Sequence, residues 1–310
     1  MLEEIERPVP KDNEVLIRVH AASVNPLDSH ILASRLARVV TRSSTPGTSG
    51  RDVSGVIESV GKSVTLFKPG DAIFGGCVGA FAEYACSKES KIVLKPSGVT
   101  FEQAAAIPIA GLTALQALRD KGKVATGQQI LVIGASGGVG TFAVQIAKHL
   151  GADVTGVCST RNVEMVRRIG ADRVIDYTAE DFTRGEDKYD LIIDLAGNRR
   201  LSEYRRVMRE SGRYVGGGGL GVDVISIPRA LASMVGKQII KPFMSQKFLS
   251  FMAKMSRDDL SELASLVAAG AISPVIDRRY KLSECINAIQ YVSEKRASGK
   301  VVIDVLDAAS

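Results

Sequence analysis

A glycine-rich segment at residues 134–140 has the composition and spacing to bind a phosphate. It follows a short apolar run at 130–133, which is typical of a buried parallel strand. Apolar residues then recur at helical spacing up to Leu150, and Gly151 can end that helix. A strand, a glycine turn and a helix open a βαβ unit, whose helix N-terminus presents free N–H groups to a pyrophosphate. The alternative is a tight turn without a ligand, and the flanking strand and helix favour nucleotide binding.

The residues after the next strand indicate which nicotinamide cofactor is bound. An NAD-preferring site places Asp or Glu about 20 residues beyond the glycines, where the carboxylate accepts hydrogen bonds from the ribose hydroxyls. Here those positions hold Ser159, Thr160 and Arg161. Hydroxyls and a guanidinium bind a 2′-phosphate through charge-assisted hydrogen bonds, whereas an acid repels it. We therefore expect NADP(H), and the alternative is that Arg161 is only a solvated residue at a helix start.

The composition is that of an ordinary globular protein and argues against several other classes. The chain has 310 residues, 45% of them hydrophobic and 24% charged, so it can form two domains with their own cores. Its net charge of +6 is dispersed without a long basic block, so an anionic cofactor explains it as well as nucleic acid does, and nucleic-acid binding is the minority interpretation. No run is long enough for a transmembrane helix, and residues 1–6 are too acidic for a targeting peptide. A cytoplasmic protein is expected.

The cysteines and histidines do not form a metal-binding pattern. The cysteines are Cys77, Cys86, Cys158 and Cys285, none of them in CxxC spacing, and there are only three histidines. Neither a structural nor a catalytic zinc site can be assembled from such positions. We therefore expect reduced cysteines that serve in packing, and no metal.

The order of elements predicts two domains, one of them formed by both ends of the chain. Residues 1–100 contain short strands separated by turns, a pattern that indicates a small β-barrel. From residue 102 onward, helices alternate with apolar strands, which predicts a doubly wound parallel sheet. The last part looks like a return to the first domain. We place the domain boundaries so as to give segments 1–109, 110–247 and 248–310.

Individual elements of the second domain follow from apolar runs and breaker residues. We expect strands at 130–133, 154–158, 174–175, 191–194, 214–215 and 238–240. Before them, we expect helices at 103–107 and 112–118, separated by a break at Pro108 and Gly111. Residues 31–49 have no clear periodicity, and we expect a helix or a loop there.

The order of several short motifs is similar to that of one enzyme family. These motifs are residues 24–28, 50–57, 60–61, 67, 70–71, 104–108, 111–114, 134–140, 170–172, 176–177 and 299–302. Each motif is weak alone, but their order and spacing are specific and cover nearly the whole length. The chain resembles the medium-chain dehydrogenase/reductase superfamily and, within it, the zinc-free quinone oxidoreductase-like branch. Zinc-dependent relatives carry Gly-His-Glu where this chain has Gly50-Arg51-Asp52, and the cysteines of their four-Cys lobe are missing here.

This resemblance implies a fold and a set of cofactor contacts. The fold is an α/β one in which a GroES-like β-barrel is interrupted by a Rossmann domain, with the active site between the two. By resemblance, Asn25 lies near the nicotinamide ribose and Thr113 lines the nicotinamide pocket. The other contacts expected on this basis are the pyrophosphate turn of Ala135, Ser136, Gly137, Gly138 and Val139, the 2′-phosphate residues Ser159, Arg161 and Tyr177, and the nicotinamide border of Leu195, Ala196, Gly216 and Gly217. Tyr177 as a packing residue and Asn25 as a turn residue before Pro26 are the alternatives.

Two further expectations come from the same resemblance. Family members usually open with a strand that precedes the segment similar to residues 2–8, so we expect either an unpaired sheet edge in the first domain or a natural start upstream of this sequence. The family often dimerises through the edge of the Rossmann sheet, and the apolar run at 235–240 is compatible with a homodimer.

Together these features predict a reductase that uses NADPH without a metal. Hydride transfer to an electron-poor C=C of a quinone or an α,β-unsaturated carbonyl needs little electrophilic help, because negative charge delocalises onto the carbonyl oxygen. His30, Tyr84 or a water molecule are candidates for the proton donor, and no catalytic acid is assigned. Two alternatives stay open, namely a non-enzymatic NADPH-binding regulator or RNA-binding protein, and a zinc-free aldehyde or ketone reductase.

Overall fold

The structure is a computed structural model that describes residues 3–33, 49–197, 199–216 and 245–306. The chain forms two compact units. The first consists of Met1–Leu112 and Lys254–Ser310, and the second of Thr113–Ala253. The first unit therefore draws on both ends of the chain, whereas the second is one continuous segment.

The described strands are numbered in chain order across both units. They are β1 (Glu14–Val24), β2 (Asp52–Val60), β3 (Ala72–Gly76), β4 (Tyr84–Lys88), β5 (Ile92–Leu94), β6 (Gln129–Ile133), β7 (Asp153–Cys158), β8 (Arg173–Asp176), β9 (Tyr189–Asp194), β10 (Met208–Gly216), β11 (Lys247–Ser250), β12 (Ile276–Lys281) and β13 (Lys300–Asp304).

The described α-helices are α1 (Pro26–Ala33), α2 (Phe101–Ala105), α3 (Pro108–Leu115), α4 (Gly138–His149), α5 (Val163–Arg168), α6 (Leu201–Val207), α7 (Arg257–Ala268) and α8 (Cys285–Ser293). A π-helical turn, Gln116–Gly122, continues α3. Short 3-10 turns lie at Glu89–Lys91, Thr160–Asn162, Phe182–Arg184 and Leu282–Glu284.

The first unit is built on a seven-stranded, mainly antiparallel sheet. Its order is β12-β13-β1-β2-β3-β5, and β4 also pairs with β1. Among the strand pairs of the described residues in this sheet, β12–β13 alone is parallel. Strand β1 lies at the centre of this sheet, and its Val15, Ile17 and Val19 are fully buried in a core that also takes side chains from α8 and β13. The antiparallel sheet of short strands confirms the fold class predicted for this part of the chain.

The second unit is built on a six-stranded parallel sheet in the order β11-β10-β9-β6-β7-β8. This is the doubly wound order in which the chain reverses direction between its first and fourth strands, here β6 and β9. Residues 130–132 of β6 are fully buried, as expected for a central strand that helices cover on both faces. The parallel sheet confirms the Rossmann-like fold predicted for this segment.

The break expected at Pro108 is present, because α2 ends at Ala105 and α3 begins at Pro108, but the break expected at Gly111 is wrong. Helix α3 starts at Pro108 and passes through Gly111. Proline is tolerated in the first turn because its missing N–H would be unpaired there anyway. Glycine is used for close packing, since a Cβ on Gly111 would lie 3.0 Å from Cδ1 of Leu263 on α7.

Strand β11 was not predicted from the sequence, and it spans the boundary expected after residue 247. None of its four residues is fully buried, so it lacks the apolar run that marked the other parallel strands. Three predictions fall partly or wholly outside the described residues: the strand at 238–240, the run at 235–240 proposed for dimerisation, and the helix or loop at 31–49, of which residues 31–33 belong to α1.

Candidate cofactor-binding site

The turn between β6 and α4 has the backbone geometry of an anion site. Gly134 adopts a φ of 81°, and Gly137 N donates to Gly134 O at 3.0 Å. A Cβ on Gly140 would lie 2.1 Å from that same carbonyl oxygen, so no other residue fits at this close approach. Helix α4 starts at Gly138, and its N-cap residue Gly137 has no side chain to occupy the first N–H groups. These N–H groups therefore remain for a bound anion.

A second turn lies beside the glycine turn at the point where the sheet order reverses. Ile133 of β6 pairs with Asp194 of β9, and Leu195 N donates to Ile133 O at 3.1 Å. A Cβ on Gly134 would lie 3.5 Å from the Cβ of Leu195, so the two turns are in contact. Ligands of doubly wound sheets bind outside the carboxyl ends of the strands at this reversal. The predicted nicotinamide-border residues Leu195 and Ala196 therefore lie at the expected edge of the sheet.

Asp194 holds this second turn in place. One carboxylate oxygen accepts backbone N–H groups from Ala196 at 3.0 Å and Gly197 at 2.9 Å. The other accepts the hydroxyls of Tyr204 at 2.6 Å and Tyr214 at 2.7 Å. All three side chains are buried, and burial together with the charge of Asp194 raises the pKa of both tyrosines, so their hydroxyls stay protonated as donors.

The residues predicted for the 2′-phosphate lie at the ends of β7 and β8, which are neighbouring strands. Ser159 is half-buried, Arg161 is exposed, and Tyr177 is 53% exposed, so the tyrosine is available to a ligand and is not part of the core. The hydroxyl of Thr160 is used within the protein, because it donates to Asp176 Oδ2 at 2.6 Å.

Asp176 ends β8 directly before Tyr177 and contacts this group through Thr160. Hydrogen bonds from Thr160 and Thr178 hold the pKa of Asp176 below its usual value, so it is charged. Its other oxygen, Oδ1, accepts the N–H and the hydroxyl of Thr178 at 2.9 and 2.7 Å. Both oxygens of Asp176 are thus turned toward threonines of its own turn.

Asn25, in the first unit, has both ends of its amide bound. Its Nδ2 donates to Asp52 Oδ2 at 2.9 Å, and its Oδ1 accepts from Lys300 Nζ at 2.8 Å. Its backbone N–H donates to Asp28 Oδ2 at 2.8 Å, so Asp28 closes the first turn of α1. The geometry matches the alternative of a turn residue before Pro26, and the predicted contact with a cofactor ribose remains a prediction.

These residues belong to a buried charged cluster that sequence reasoning did not find. Asp52 also accepts from Ser23 Oγ at 2.9 Å and from the N–H of Ile109, at the start of α3, at 3.1 Å. Lys300 Nζ lies 3.5 Å from Asp52 Oδ2. Burial lowers the pKa of Lys300, and the charge of Asp52 opposes that shift. We call Ser23, Asn25, Asp28, Asp52 and Lys300 the buried charged cluster.

The positions of the remaining predicted site residues assign them no contact with a cofactor. Thr113 is buried within α3, and Gly216 ends β10. Gly217 and the side chain of His30 lie outside the described residues. The ring of Tyr84 lies under the guanidinium of Arg7 at 4.0 Å, which gives the tyrosine a packing role. No proton donor is assigned from this geometry.

The described part of the chain offers neither a cluster of metal ligands nor a helix suited to span a membrane. Across residues 3–33, 49–197, 199–216 and 245–306, no three His, Cys, Asp or Glu residues are placed to hold a metal ion together. All four cysteines are free of disulfides, and burial raises the pKa of Cys86 and Cys158 to about 11. Among the helices in the described ranges, none is both long and apolar enough to cross a membrane.

The sequence and the structure are both similar to known proteins. Two family models match the chain, "Alcohol dehydrogenase GroES-like domain" at residues 11–97 and "Zinc-binding dehydrogenase" at residues 169–303. The mouse (Mus musculus) mitochondrial NAD(P)H oxidoreductase RTN4IP1 is 36% identical over 95% of this chain and 82% of its own length. The chloroplastic NADPH-dependent alkenal/one oxidoreductase of Arabidopsis thaliana is 32% identical over 96% of this chain and 73% of its own. The solved quinone oxidoreductase from Coxiella burnetii has a TM-score of 0.84 and 30% identity over 97% of this chain and 93% of its own.

Proposed function

We propose that this chain, which belongs to the medium-chain dehydrogenase/reductase superfamily and is quinone oxidoreductase-like, uses NADPH to reduce a quinone or an α,β-unsaturated carbonyl. At a coarser level the chain is an oxidoreductase with a nicotinamide cofactor. The observation that carries the proposal is the contact between the glycine turn and the Asp194 turn, at the reversal point of the parallel sheet.

The residues at this point fit a dinucleotide. Gly140 allows the backbone to approach closely, and the start of α4 leaves N–H groups for a pyrophosphate, so residues 135–139 would hold it. The hydroxyl of Ser159 and the guanidinium of Arg161 would hold the 2′-phosphate. Both oxygens of Asp176 accept hydrogen bonds from threonines of its own turn; its negative charge acts against a phosphate there, and the guanidinium of Arg161 supplies the opposite charge. When bound, NADPH supplies a hydride.

The contribution of the chain to the reaction is orientation and charge stabilisation. The turn at 195–197 donates two backbone hydrogen bonds to Asp194, which two tyrosine hydroxyls hold in place, so it can restrict the position of a ligand above the sheet edge. An acceptor C=C conjugated to a carbonyl spreads negative charge onto oxygen, and so it needs few donors from the protein. This chemistry suits a chain whose described residues offer neither a metal cluster nor an assigned acid.

The test is oxidation of NADPH and NADH by the purified chain, followed by the absorbance of the reduced nicotinamide. The acceptors are a panel of quinones and enones, each enone paired with its saturated ketone as the control. We expect turnover with NADPH preferred, and faster turnover with an enone than with its ketone. Equal rates on both members of a pair would favour a simple carbonyl reductase. NADPH binding without turnover on any acceptor would contradict the proposal and favour a regulatory, non-enzymatic role.

A cytoplasmic homodimer is part of the same proposal. The four cysteines form no disulfide, which suits a reducing compartment. The two relatives named above are mitochondrial and chloroplastic proteins, so subcellular fractionation of the native protein is the direct test. Light scattering after size-exclusion chromatography gives the mass in solution, and a mass of one chain would contradict the dimer.

A further inference from the structure

Asn162 connects the glycine turn to the end of β7. It is a buried residue in the 3-10 turn Thr160–Asn162, just before α5. Its side-chain Nδ2 donates to Ser136 Oγ at 3.0 Å and to Ser159 Oγ at 3.3 Å. Its backbone N–H donates to Ser159 O at 2.9 Å, which fixes the turn against the end of the strand. One amide group therefore bridges two serines that precede two neighbouring helices.

This bridge determines how each serine hydroxyl can be used. An amide nitrogen only donates, so both serine oxygens act as acceptors toward Asn162. Each hydroxyl then keeps its own O–H, and among the described residues neither O–H has an acceptor. Both serines are half-buried, so these two donors are available to a ligand that accepts hydrogen bonds.

Thr160, next in sequence to Ser159, has the opposite arrangement. Its O–H is donated to Asp176 at 2.6 Å, so it has no proton to offer to an anion. The hydroxyls of Ser136, Ser159 and Thr160 therefore differ in their hydrogen-bond partner, and the partner determines whether each can donate to a ligand. The two bound to the Asn162 amide can donate, and the one bound to the Asp176 carboxylate cannot.

We propose that Asn162 orients the hydroxyls of Ser136 and Ser159 as paired donors to the 2′-phosphate of an NADP-type cofactor, while the backbone N–H groups of residues 135–139 remain for the pyrophosphate, and that Asn162 thereby acts as a positioning residue for cofactor choice. A phosphate has only acceptor oxygens at neutral pH, and it matches two donors better than a ribose hydroxyl does, since a hydroxyl can also donate. This inference rests on the proposed function and adds the residue that makes both serine hydroxyls donors at its phosphate site.

The first test replaces Asn162 with Asp and with Ala. In the Asn162→Asp variant a carboxylate accepts the serine protons, so the serines no longer donate outward. We expect the Kd of NADPH and of 2′,5′-ADP to rise by about tenfold to a hundredfold, the range of a lost charge-assisted hydrogen bond, and the Kd of NADH to change by less than about threefold. Asn162→Ala is expected to give a smaller loss of NADPH affinity, because the hydroxyls become free to rotate. Isothermal titration calorimetry gives all of these constants.

The matched control is Gln128→Glu. It adds the same negative charge to the second unit, but just before the amino end of β6. Its side-chain Oε1 accepts from Ala125 N at 3.0 Å, and a glutamate keeps that acceptor. This variant is expected to bind both cofactors like the parent, which separates a local effect from a change in net charge.

A double-mutant cycle separates hydroxyl orientation from direct repulsion of the phosphate by the new carboxylate. If Asn162 acts through the serines, then Asn162→Asp adds little in a Ser136→Ala/Ser159→Ala background, and the effects are strongly non-additive. Additive effects in this cycle would overturn the inference. Equal loss of NADPH and NADH in Asn162→Asp would also overturn it, because that outcome describes a purely structural residue. If the parent chain does not bind NADPH, both the proposed function and this inference fail.

Discussion

Lys300 Nζ lies 2.8 Å from the side-chain oxygen of Asn25, although the two residues are 275 positions apart in the sequence. The lysine opens β13, and the asparagine follows β1 directly. Their contact brings a cation into a site where both side chains are almost fully buried. A buried cation is stable only when it is paired and hydrogen-bonded, and here Asp52 supplies the opposite charge at 3.5 Å.

Removal of this cation is predicted to destabilise the first unit strongly. Lys300→Met leaves the buried carboxylate of Asp52 without its counter-charge, which costs about 3–5 kcal/mol of unfolding free energy. Chemical denaturation measures the loss. The control is Lys62→Met, because Lys62 forms an ion pair with Asp12 on the surface, where such pairs contribute about 0–1 kcal/mol. A loss at Lys300 no greater than at Lys62 would contradict the prediction, and adding Asp52→Asn to Lys300→Met should recover part of it.

Asp28 is predicted to make stability depend on pH near neutrality. Burial raises its pKa from 3.8 to about 7, and one of its oxygens, Oδ1, has no partner among the described residues. The charged groups that act on it are Asp52, which raises the pKa further, and Lys300 and Arg51, which lower it.

This raised pKa determines the direction in which pH changes the stability of the folded chain. The folded chain holds the Asp28 proton more tightly than the unfolded chain, so the stabilisation is complete below pH 3.8 and is lost as the pH rises to about 7. Asp28→Asn should remove this dependence and be more stable than the parent at pH 8 by about 2–4 kcal/mol, since one pKa unit between the two states is worth about 1.4 kcal/mol. Denaturation of both proteins from pH 5 to 8 measures the difference, and parallel pH profiles would refute the assignment.

The two tyrosines on Asp194 are predicted to act together. Tyr204→Phe or Tyr214→Phe removes one of two donors from the same buried oxygen, and each should cost about 1–2 kcal/mol of unfolding free energy. The double variant leaves that oxygen without a tyrosine donor, so its cost should exceed the sum of the single ones. The affinity for NADPH should fall along with stability, because the turn at 195–197 loses its support. Small, additive losses of stability with unchanged NADPH affinity would show that the tyrosines do not position the turn.

Gly140 is predicted to accept no side chain. The Cβ of Gly140→Ala would lie 2.1 Å from Gly134 O and 2.8 Å from backbone atoms of Ala135, so the turn must open. Affinity for NADPH should fall by at least about tenfold, as expected when a backbone turn loses its close approach to a pyrophosphate. Gly185→Ala is the matched control, because its φ is −69° and the nearest atom to its Cβ would be 3.9 Å away. Titration of NADPH into both variants measures the two affinities, and similar affinities would contradict the prediction.

The parts of the fold that could be predicted are those with a local signal. The apolar run of β6, the glycine turn and the amphipathic α4 are continuous in sequence, and the structure has them where expected. Strand β11 was missed because its four residues are only partly covered and carry no such run. The extent of α3 was mispredicted because glycine breaks helices in general, but Gly111 lies at a close helix contact.

The site was predictable only where one segment supplies all of its atoms. The glycine turn meets that condition. Asp194 does not meet it, because its two tyrosine donors lie on α6 and β10. These donors are 10 and 20 residues further along the chain. The buried charged cluster is further still from any local pattern, since Lys300 reaches Asn25 only when the last strand pairs with the first. A lysine that follows a glycine near the end of a chain gives no sign that it is buried.

The pairing of β13 with residues 21–24 of β1 also sets the order in which the units can be completed during synthesis. The second unit is one continuous segment, so it can fold as soon as it leaves the ribosome. The first unit must wait for residues 300–304, and until then part of β1 has an open hydrogen-bonding edge and Asp52 lacks its cation. The nascent chain thus carries an exposed strand edge through most of its translation, and such an edge can pair with a strand of another chain.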